Sequence, residues 1–440
     1  MKKSILILLV CAYPLFTIAQ IKNKSNLDQL FNGFESENKA MGTISIAKNG
    51  KEVYQKNIGF SSIENRTKPN KLTKYRIGSI TKTFTAVVIL QQIDEGKLTL
   101  KSLLKEFFPQ LPNAHKITIE DLLRHQSGLT NITNDKSIRT WVSKPQTRNQ
   151  MMKRFIKNGT VFEPKEKSSY SNTNYAILSY IAEDIDKKSF DTILKDRIIN
   201  PLKLKRTEFG KAIQPDNNEA YSYYYENNQW NLIEFKTHMS APMGAGAIVS
   251  TSSEINRFYT NLFTNQLISK KSLDNLMTIK KNFGLGVTKL KFKGLEIYGH
   301  DGGIDGFQSF ALYIPEKKTT ISLTFNGLQM IMMPLIISIL ETYFDGDPSL
   351  KKTTSLNLKP EELEVYLGVY SGKTFPAKVT FTKKGNTLYA QATGQPLFKL
   401  TATKKDFFIY DAMGIRFDFN LKNKSLELTF AGNKHLLNKE

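Results

Sequence analysis

The chain contains 440 residues, of which 40% are hydrophobic and 23% are charged, and its formal net charge is +22. This composition predicts a folded protein of two domains with a large core, and it excludes a disordered or fibrous chain. The single cysteine, Cys11, excludes a disulfide framework, and the five histidines lack metal-ligand spacing, so we expect no metal and no other cofactor. The excess of positive charge favours peripheral contact with anionic envelope surfaces over nucleic acid, or it is simply a solvated basic surface.

The N-terminal segment, residues 1–20, has the features of a secretory signal peptide. Lys2 and Lys3 precede an apolar run, and small residues near Ala19 suit cleavage. A retained membrane anchor is the alternative, but the apolar run is short and Pro14 interrupts it. We therefore expect an exported protein that is periplasmic or extracellular after removal of the signal peptide.

Two elements are predicted between this segment and the first candidate site. Apolar residues at helical spacing predict a helix over residues 26–40. Residues 43–47 and 52–55 alternate and flank Asn49-Gly50, which predicts a β-hairpin with a tight turn.

Ser79 and Lys82 form the first candidate catalytic pair. They follow Gly78 and open an apolar stretch at helical spacing that ends at Asp94-Glu95-Gly96, a helix stop signal. Residues three apart lie on one face of a helix, so the Lys82 amine is predicted beside the Ser79 hydroxyl. Burial and the positive end of the helix disfavour an ammonium, and a neutral amine can accept the serine proton. The Ser-x-x-Lys spacing occurs five times, but only this copy opens a long apolar helix after a glycine.

The second candidate pair is Tyr170 and Asn172, which lie in a polar loop directly before a predicted buried helix. Upstream, Thr118 is predicted to cap a helix together with Asp121, and residues 130–160 are predicted to be helical and basic. His125 lies within a helix-end signal, so we interpret it as a structural residue.

Two later segments give weaker signals. Residues 205–240 are polar and aromatic, and such clusters either line a substrate cleft or, more often, cover a core. Residues 243–251 are mostly small and predict a turn into a strand, after which Glu254 opens a helix.

The third candidate segment is His300-Asp301-Gly302-Gly303, whose glycines would let a strand edge approach a ligand closely. His300 and Asp301 are adjacent, so their side chains should point to opposite faces of a strand, which disfavours a Ser-His-Asp triad. Strands are predicted at 309–314 and 319–325, and a helix too short to cross a membrane is predicted from about Leu328 to Phe344.

The C-terminal part has a different pattern. Residues 346–360 are predicted to be a linker, and residues 361–440 contain short alternating segments such as Ile415–Leu421, separated by turn residues. Several such strands at close spacing predict a small antiparallel β-barrel.

In order along the chain, Ser79-x-x-Lys82, Tyr170-x-Asn172 and His300-Asp301-Gly302 resemble the three active-site motifs of serine β-lactamases and penicillin-binding proteins. The flanks are most similar to the class C branch, which includes D-alanyl-D-alanine carboxypeptidases, D-aminopeptidases and esterases. The resemblance covers about residues 26–345 and implies an α/β (α+β) fold of the β-lactamase/transpeptidase type within a hydrolase domain of residues 21–345. This fold has an antiparallel sheet flanked by helices and an all-helical region. The C-terminal barrel resembles the lipocalin-like domain often attached to such hydrolases.

The resemblance also implies a role for each candidate residue. Ser79 would form the acyl-enzyme, and Lys82 and Tyr170 would share the general acid and base work. Asn172 would orient both the substrate and Lys82, and the backbone N–H groups of Ser79 and Gly303 would form the oxyanion hole. The substrate-binding positions would be Asn172, His300, Asp301, Gly302 and Gly303.

Asp301 departs from the family pattern, because the third motif of β-lactamases most often has a Thr or Ser there. A carboxylate would repel a substrate carboxylate, so we expect an ester, amide or D-amino-acid-containing substrate, either a small molecule or a peptide, with cell-wall fragments among the candidates.

One alternative is a β-lactamase or D-alanyl-D-alanine carboxypeptidase proper. Another is a non-catalytic envelope-binding protein that retains the cleft, which the intact Ser79, Lys82 and Tyr170 disfavour. The sequence indicates no particular oligomeric state.

Overall fold

The computed structural model describes residues 23–330, 332–346, 356–372, 374–393, 397–410, 415–430 and 433–440. The predicted signal peptide (1–20), most of the predicted linker and part of the barrel segment that carries the lipocalin-like resemblance (394–396) lie outside the described residues.

A six-stranded antiparallel sheet forms the centre of the first domain, in the order β2-β1-β11-β10-β9-β8. Its strands are Ala40–Lys48 (β1), Lys51–Ile58 (β2), Thr288–Phe292 (β8), Leu295–Ile304 (β9), Phe307–Ile314 (β10) and Thr319–Leu328 (β11). Five short strands lie between β2 and β8 in the sequence: Tyr75–Arg76 (β3), Glu208–Phe209 (β4), Tyr223–Glu226 (β5), Gln229–Leu232 (β6) and Ile248–Ser250 (β7). Strands β1 and β11 pair along their whole length, so the two ends of the domain meet at the middle of the sheet.

The helices of the described residues pack on this sheet or form a separate helical region between β3 and β7. They are Lys24–Ser36 (α1), Thr81–Asp94 (α2), Ile119–Leu123 (α3), Ile138–Trp141 (α4), Arg148–Asn158 (α5), Asn172–Asp186 (α6), Phe190–Leu194 (α7), Ser252–Phe263 (α8), Lys270–Met277 (α9) and Met332–Asp345 (α10). Within the described residues, none of the helices combines the length and apolarity needed to cross a membrane.

Two tight turns are encoded directly by the sequence. Asn49 and Gly50 have φ angles of 51° and 75° and join β1 to β2, which confirms the predicted hairpin. Asp305 and Gly306, with φ angles of 49° and 83°, join β9 to β10 in the same way. Positive φ at both central residues is the requirement of a type I′ turn, which Asn-Gly and Asp-Gly satisfy at low cost.

Helix α2 is the buried centre of the core. Its residues from Thr81 to Leu90 are all buried, and the Phe84 ring stacks on Phe258 of α8 with the ring centroids 3.6 Å apart. The predicted end of the helix at Asp94 is confirmed, and Ser79 lies in a 3₁₀ turn, Gly78–Ile80, immediately before α2. A helix buried on all sides fixes its first turn, so the position of Ser79 depends on the whole core.

The observed ends of some helices and strands differ from the predicted ends because of tertiary contacts. The prediction that a helix begins near Leu328 was wrong, because Leu328 pairs with Ala40 as the last residue of β11, and α10 begins only at Met332. Residues 130–160, which were predicted to be helical, contain the two helices α4 and α5, with Pro145 between them. The capping box at Thr118 and Asp121 is confirmed.

The C-terminal part forms a nine-stranded, nearly closed antiparallel barrel in the order β15-β14-β13-β12-β20-β19-β18-β17-β16. Its strands are Gly368–Gly372 (β12), Phe375–Lys384 (β13), Thr387–Ala392 (β14), Phe398–Lys399 (β15), Thr401–Lys404 (β16), Phe407–Tyr410 (β17), Ile415–Asn420 (β18), Ser425–Phe430 (β19) and Asn433–Lys439 (β20). The Phe419 ring lies 4.9, 5.6 and 5.0 Å from the rings of Tyr366, Tyr370 and Phe381, so aromatic side chains fill the interior.

Candidate active site

Strand β9 and the start of α2 approach each other at a point where both backbones carry glycine. Gly78 has a φ of 50°, and a Cβ on it would lie 2.7 Å from the backbone nitrogen of Gly303. A Cβ on Gly302 would lie 2.1 Å from the carbonyl oxygen of Ile77. The sequence analysis expected these glycines to let a ligand approach the strand closely. In the structure, the turn that carries Ser79 makes this close approach.

The Lys82 amine lies among three oxygen atoms. Its Nζ is 2.9 Å from Ser79 Oγ, 2.8 Å from Asn172 Oδ1 and 2.7 Å from the carbonyl oxygen of Ala245. The last two oxygens can only accept hydrogen bonds. A neutral amine has two N–H groups and one lone pair, so these two acceptors take the N–H groups and direct the lone pair towards Ser79.

The Lys82 side chain is fully buried. Burial lowers the pKa of its amine well below the ordinary lysine value, and the negative charge of Asp301 only partly opposes this effect. Burial thus shifts the amine towards its neutral form.

Tyr170 reaches the same serine from a loop. Its hydroxyl donates to Ser79 Oγ over 2.7 Å. Burial raises the pKa of the phenol, and the hydrogen bond to Ser79 partly opposes this shift, so Tyr170 keeps its proton at neutral pH. Ser79 Oγ therefore lies between a group that can accept its proton and a group that can donate one.

Asn131 fixes the orientation of Asn172 and was missed by the sequence reasoning. Its Oδ1 accepts from the backbone nitrogen of Asn172 at 3.0 Å and from Asn172 Nδ2 at 3.2 Å. The Nδ2 group of Asn172 is thereby turned away from Lys82, and its Oδ1 faces the amine. The only local signal at Asn131 is its position as an N-cap of the turn Ile132–Asn134.

His300 and Asp301 point to opposite faces of β9, as predicted. The His300 side chain is 4% exposed and the Asp301 side chain is 72% exposed. His300 Nδ1 lies 2.6 Å from the Asp301 carbonyl oxygen, and burial lowers the pKa of the imidazole. The His300 ring lies 6.2 Å from the Tyr170 ring, so it packs beside the site.

Ser79, Asn172 and Gly303 open onto one cavity of about 350 Å³. Its walls are mostly apolar, and Arg139 lies among them as an exposed cation. The apolar residues of its lining include Ile132, Ile138, Trp141, Val142, Phe235 and Pro242. A cavity of this size and character suits an apolar group about as large as an amino-acid side chain.

A buried ion pair supports one wall of this cavity. Arg76 Nη1 lies 2.6 Å from Asp305 Oδ2, and both side chains are almost fully buried. The carboxylate also accepts from the backbone nitrogen of Thr237 at 3.0 Å and from its hydroxyl at 2.7 Å. These bonds tie the β9–β10 turn to the 205–240 segment.

The 205–240 segment has both roles considered from the sequence. Phe235 and Thr237 line the cavity at Ser79, whereas Tyr223 is buried and donates its hydroxyl to Glu64. Among the residues that the structure describes, no group of three or more His, Cys, Asp or Glu side chains could hold a metal ion.

Comparison with known proteins gives consistent matches. A family model described as Beta-lactamase matches residues 27–336. Penicillin-binding protein 4* of Bacillus subtilis is 24% identical over 427 residues, which are 90% of this chain and 94% of that protein. An octameric penicillin-binding protein homologue from Pyrococcus abyssi superposes with a TM-score of 0.67 at 22% identity, covering 94% of this chain and 99% of that one. A D-stereospecific amidohydrolase from Streptomyces sp. has a TM-score of 0.64 at 25% identity, with 73% and 99% covered. These matches confirm the predicted fold class.

The state of the Lys82 amine predicts how the reactivity of Ser79 depends on pH. The rate of covalent labelling by an uncharged fluorophosphonate should rise with pH as Lys82 loses its proton, and its midpoint should lie well below the ordinary lysine pKa. Lys82→Arg should lower the labelling rate at least about 10³-fold at every pH, since a guanidinium keeps its proton. Intact-mass kinetics measure this rate.

The control for this experiment is Lys105→Arg, taken from the chance Ser102-x-x-Lys105 copy, which should label at the wild-type rate. Labelling of Lys82→Arg at more than a tenth of the wild-type rate would exclude the neutral amine as the base.

Proposed function

The chain belongs to the beta-lactamase family and is a serine hydrolase of that family, and we propose that it works through an acyl-enzyme on Ser79. The observation that carries the proposal is the simultaneous contact of Ser79 Oγ with Lys82 Nζ at 2.9 Å and with the Tyr170 hydroxyl at 2.7 Å. We also propose, from residues 1–20 alone, that the protein is exported.

In the acylation step, Ser79 Oγ forms a bond to the substrate carbonyl carbon while its proton passes to Lys82 Nζ. The carbonyl oxygen becomes an oxyanion, for which the backbone N–H groups of Ser79 and Gly303 are the proposed donors. When the bond to the leaving group breaks, that group takes a proton from Tyr170, and the Lys82 ammonium restores the phenol. The products are the acyl-enzyme and a free amine or alcohol.

Deacylation reverses the roles. A water molecule attacks the ester carbon and gives its proton to the Tyr170 and Lys82 pair, and Ser79 Oγ leaves with a proton returned from that pair. The net reaction consumes one water and releases a carboxylic acid. No other co-reactant is needed.

The proposed substrate is an amide or ester of an apolar acyl group that carries an amine. The apolar cavity of about 350 Å³ supports the apolar group. Asp301 supports the amine, because its exposed side chain shares a face of β9 with Gly303, at roughly 7 Å along the strand. Within the described residues, its one ion-pair neighbour is the buried His300 at 3.8 Å, so the carboxylate is left to attract a substrate cation. The likeness to a D-stereospecific amidohydrolase favours a D-amino-acid derivative.

The acyl-enzyme proposal is tested by intact mass after incubation with esters and amides of D- and L-phenylalanine. Wild-type protein should gain the mass of the acyl group and turn the substrate over, and Ser79→Ala should do neither, because no other oxygen contacts Lys82 and Tyr170 together in the described residues. Ser36→Ala is the matched control, since Ser36 is exposed in another Ser-x-x-Lys copy. An adduct that persists in Ser79→Ala would refute the assignment.

The role proposed for Asp301 predicts opposite effects on substrates of opposite charge. Asp301→Asn should lower kcat/KM for D-phenylalanine amide about five- to tenfold, since one Coulombic contact at an exposed site is worth on the order of 1 kcal/mol. The same variant should speed acylation by benzylpenicillin, whose carboxylate is no longer repelled.

Asp274→Asn removes an exposed carboxylate elsewhere and should change neither rate. Loss of both rates together in Asp301→Asn would indicate damage to the site and would contradict a role in charge selection.

A further inference from the structure

His125 lies at the end of α3 in a backbone conformation that histidine seldom adopts. Its φ is 57°, in the left-handed region, and it is almost fully buried. Glycine or asparagine would hold this conformation at lower cost. A buried ring held in this region raises the question of what the ring contacts.

His125 holds the chain on both sides of Tyr170. The backbone nitrogen of Ser169 donates to the carbonyl oxygen of His125 over 2.9 Å. The backbone nitrogen of Ser171 donates to His125 Nδ1 over 3.1 Å. One residue thus binds the two peptide N–H groups that flank the tyrosine.

The imidazole also packs against the phenol itself. The ring centroids of His125 and Tyr170 are 4.5 Å apart, and the ring of Phe283 lies 4.9 Å from His125 on another side. Tyr175, whose ring is 5.2 Å away, donates its hydroxyl to the Leu123 carbonyl oxygen at 2.7 Å and so anchors the turn that carries His125. The phenol therefore rests on a ring that is itself fixed by its neighbours.

The hydrogen bond to Ser171 requires a neutral imidazole with its proton on Nε2, because Nδ1 acts as the acceptor. Burial holds the pKa of the His125 imidazole well below its usual range. The acceptor is therefore available throughout the neutral range.

We propose that His125 is the positioning residue for Tyr170: its Nδ1 fixes the loop so that the phenol stays 2.7 Å from Ser79 Oγ. This replaces the structural role expected from the sequence with one in the reaction, and it rests on the proposed function of Ser79 and Tyr170. The consequence is that loss of the acceptor lowers kcat and leaves KM nearly unchanged, since the phenol acts on the reacting atoms more than on substrate binding.

The experiment compares two substitutions at this position. His125→Phe keeps a ring of similar shape but has no acceptor, and it should lower kcat about 10- to 100-fold, the size of effect that a misplaced catalytic group produces. His125→Asn tolerates the left-handed conformation, its Oδ1 replaces Nδ1 as the acceptor, and it should keep kcat within about fivefold of wild type. His115→Phe, at an exposed histidine, is the matched control and should behave as wild type.

A double-mutant cycle separates positioning from general destabilisation. If His125 acts through Tyr170, His125→Phe should have no further effect on kcat in a Tyr170→Phe background. The same fold loss in both backgrounds would overturn the proposal, as would a kcat within twofold of wild type for His125→Phe. If His125→Phe does not fold, His125→Asn decides alone. A folded His125→Asn that loses more than about 30-fold overturns the proposal, and one near wild type supports it.

Failure of the proposed function has a different signature. Wild-type protein would then form no adduct on Ser79, or Tyr170→Phe would retain full activity. Either result would refute the proposed function and leave His125 without a reaction to support. The His125 variants are therefore compared only if Ser79 forms the adduct and Tyr170→Phe loses activity.

Discussion

The site depends on one buried amine, that of Lys82, which lies within hydrogen-bond distance of three oxygen atoms. Lys82 is surrounded by the core, and Asn172 and Ala245 present acceptors that cannot donate in return. An ammonium in this position has lost its hydration, and a neutral amine has one orbital left, which faces Ser79. Each element near the cavity can be understood by what it contributes to this arrangement.

Four separate parts of the chain meet at the amine. Helix α2 supplies Lys82, the loop before α6 supplies Tyr170, and the first residue of α6 is Asn172. The turn Met243–Ala245 supplies a carbonyl oxygen, and β9 packs against the Ser79 turn through Gly302 and Gly303. Asn131 and His125 lie one contact further out and fix the side chains that touch the serine and lysine. A buried basic amine lowers the stability of the folded protein. The dense packing around Lys82 keeps the amine buried and therefore reactive.

Local patterns predicted the parts of the site that depend on local geometry. The spacing of Ser79 and Lys82 follows from one helical turn, and Asn49-Gly50 gives the hairpin because the turn needs positive φ. Contacts between distant segments could not be predicted in this way. The bond from Asn172 to Asn131 and the ion pair of Arg76 with Asp305 join residues 41 and 229 positions apart. The predicted start of α10 was wrong for the same reason, because pairing with β1 extends β11 to Leu328.

The most direct test of the account is the protonation state of Lys82 itself. An NMR titration of protein labelled with ¹³C and ¹⁵N in its lysines, with Lys82 assigned from the Lys82→Arg variant, follows the amine apart from the many surface lysines. The account predicts that the Lys82 amine titrates well below the other lysines. A Lys82 that remains an ammonium until about pH 10, as an ordinary lysine does, would contradict it.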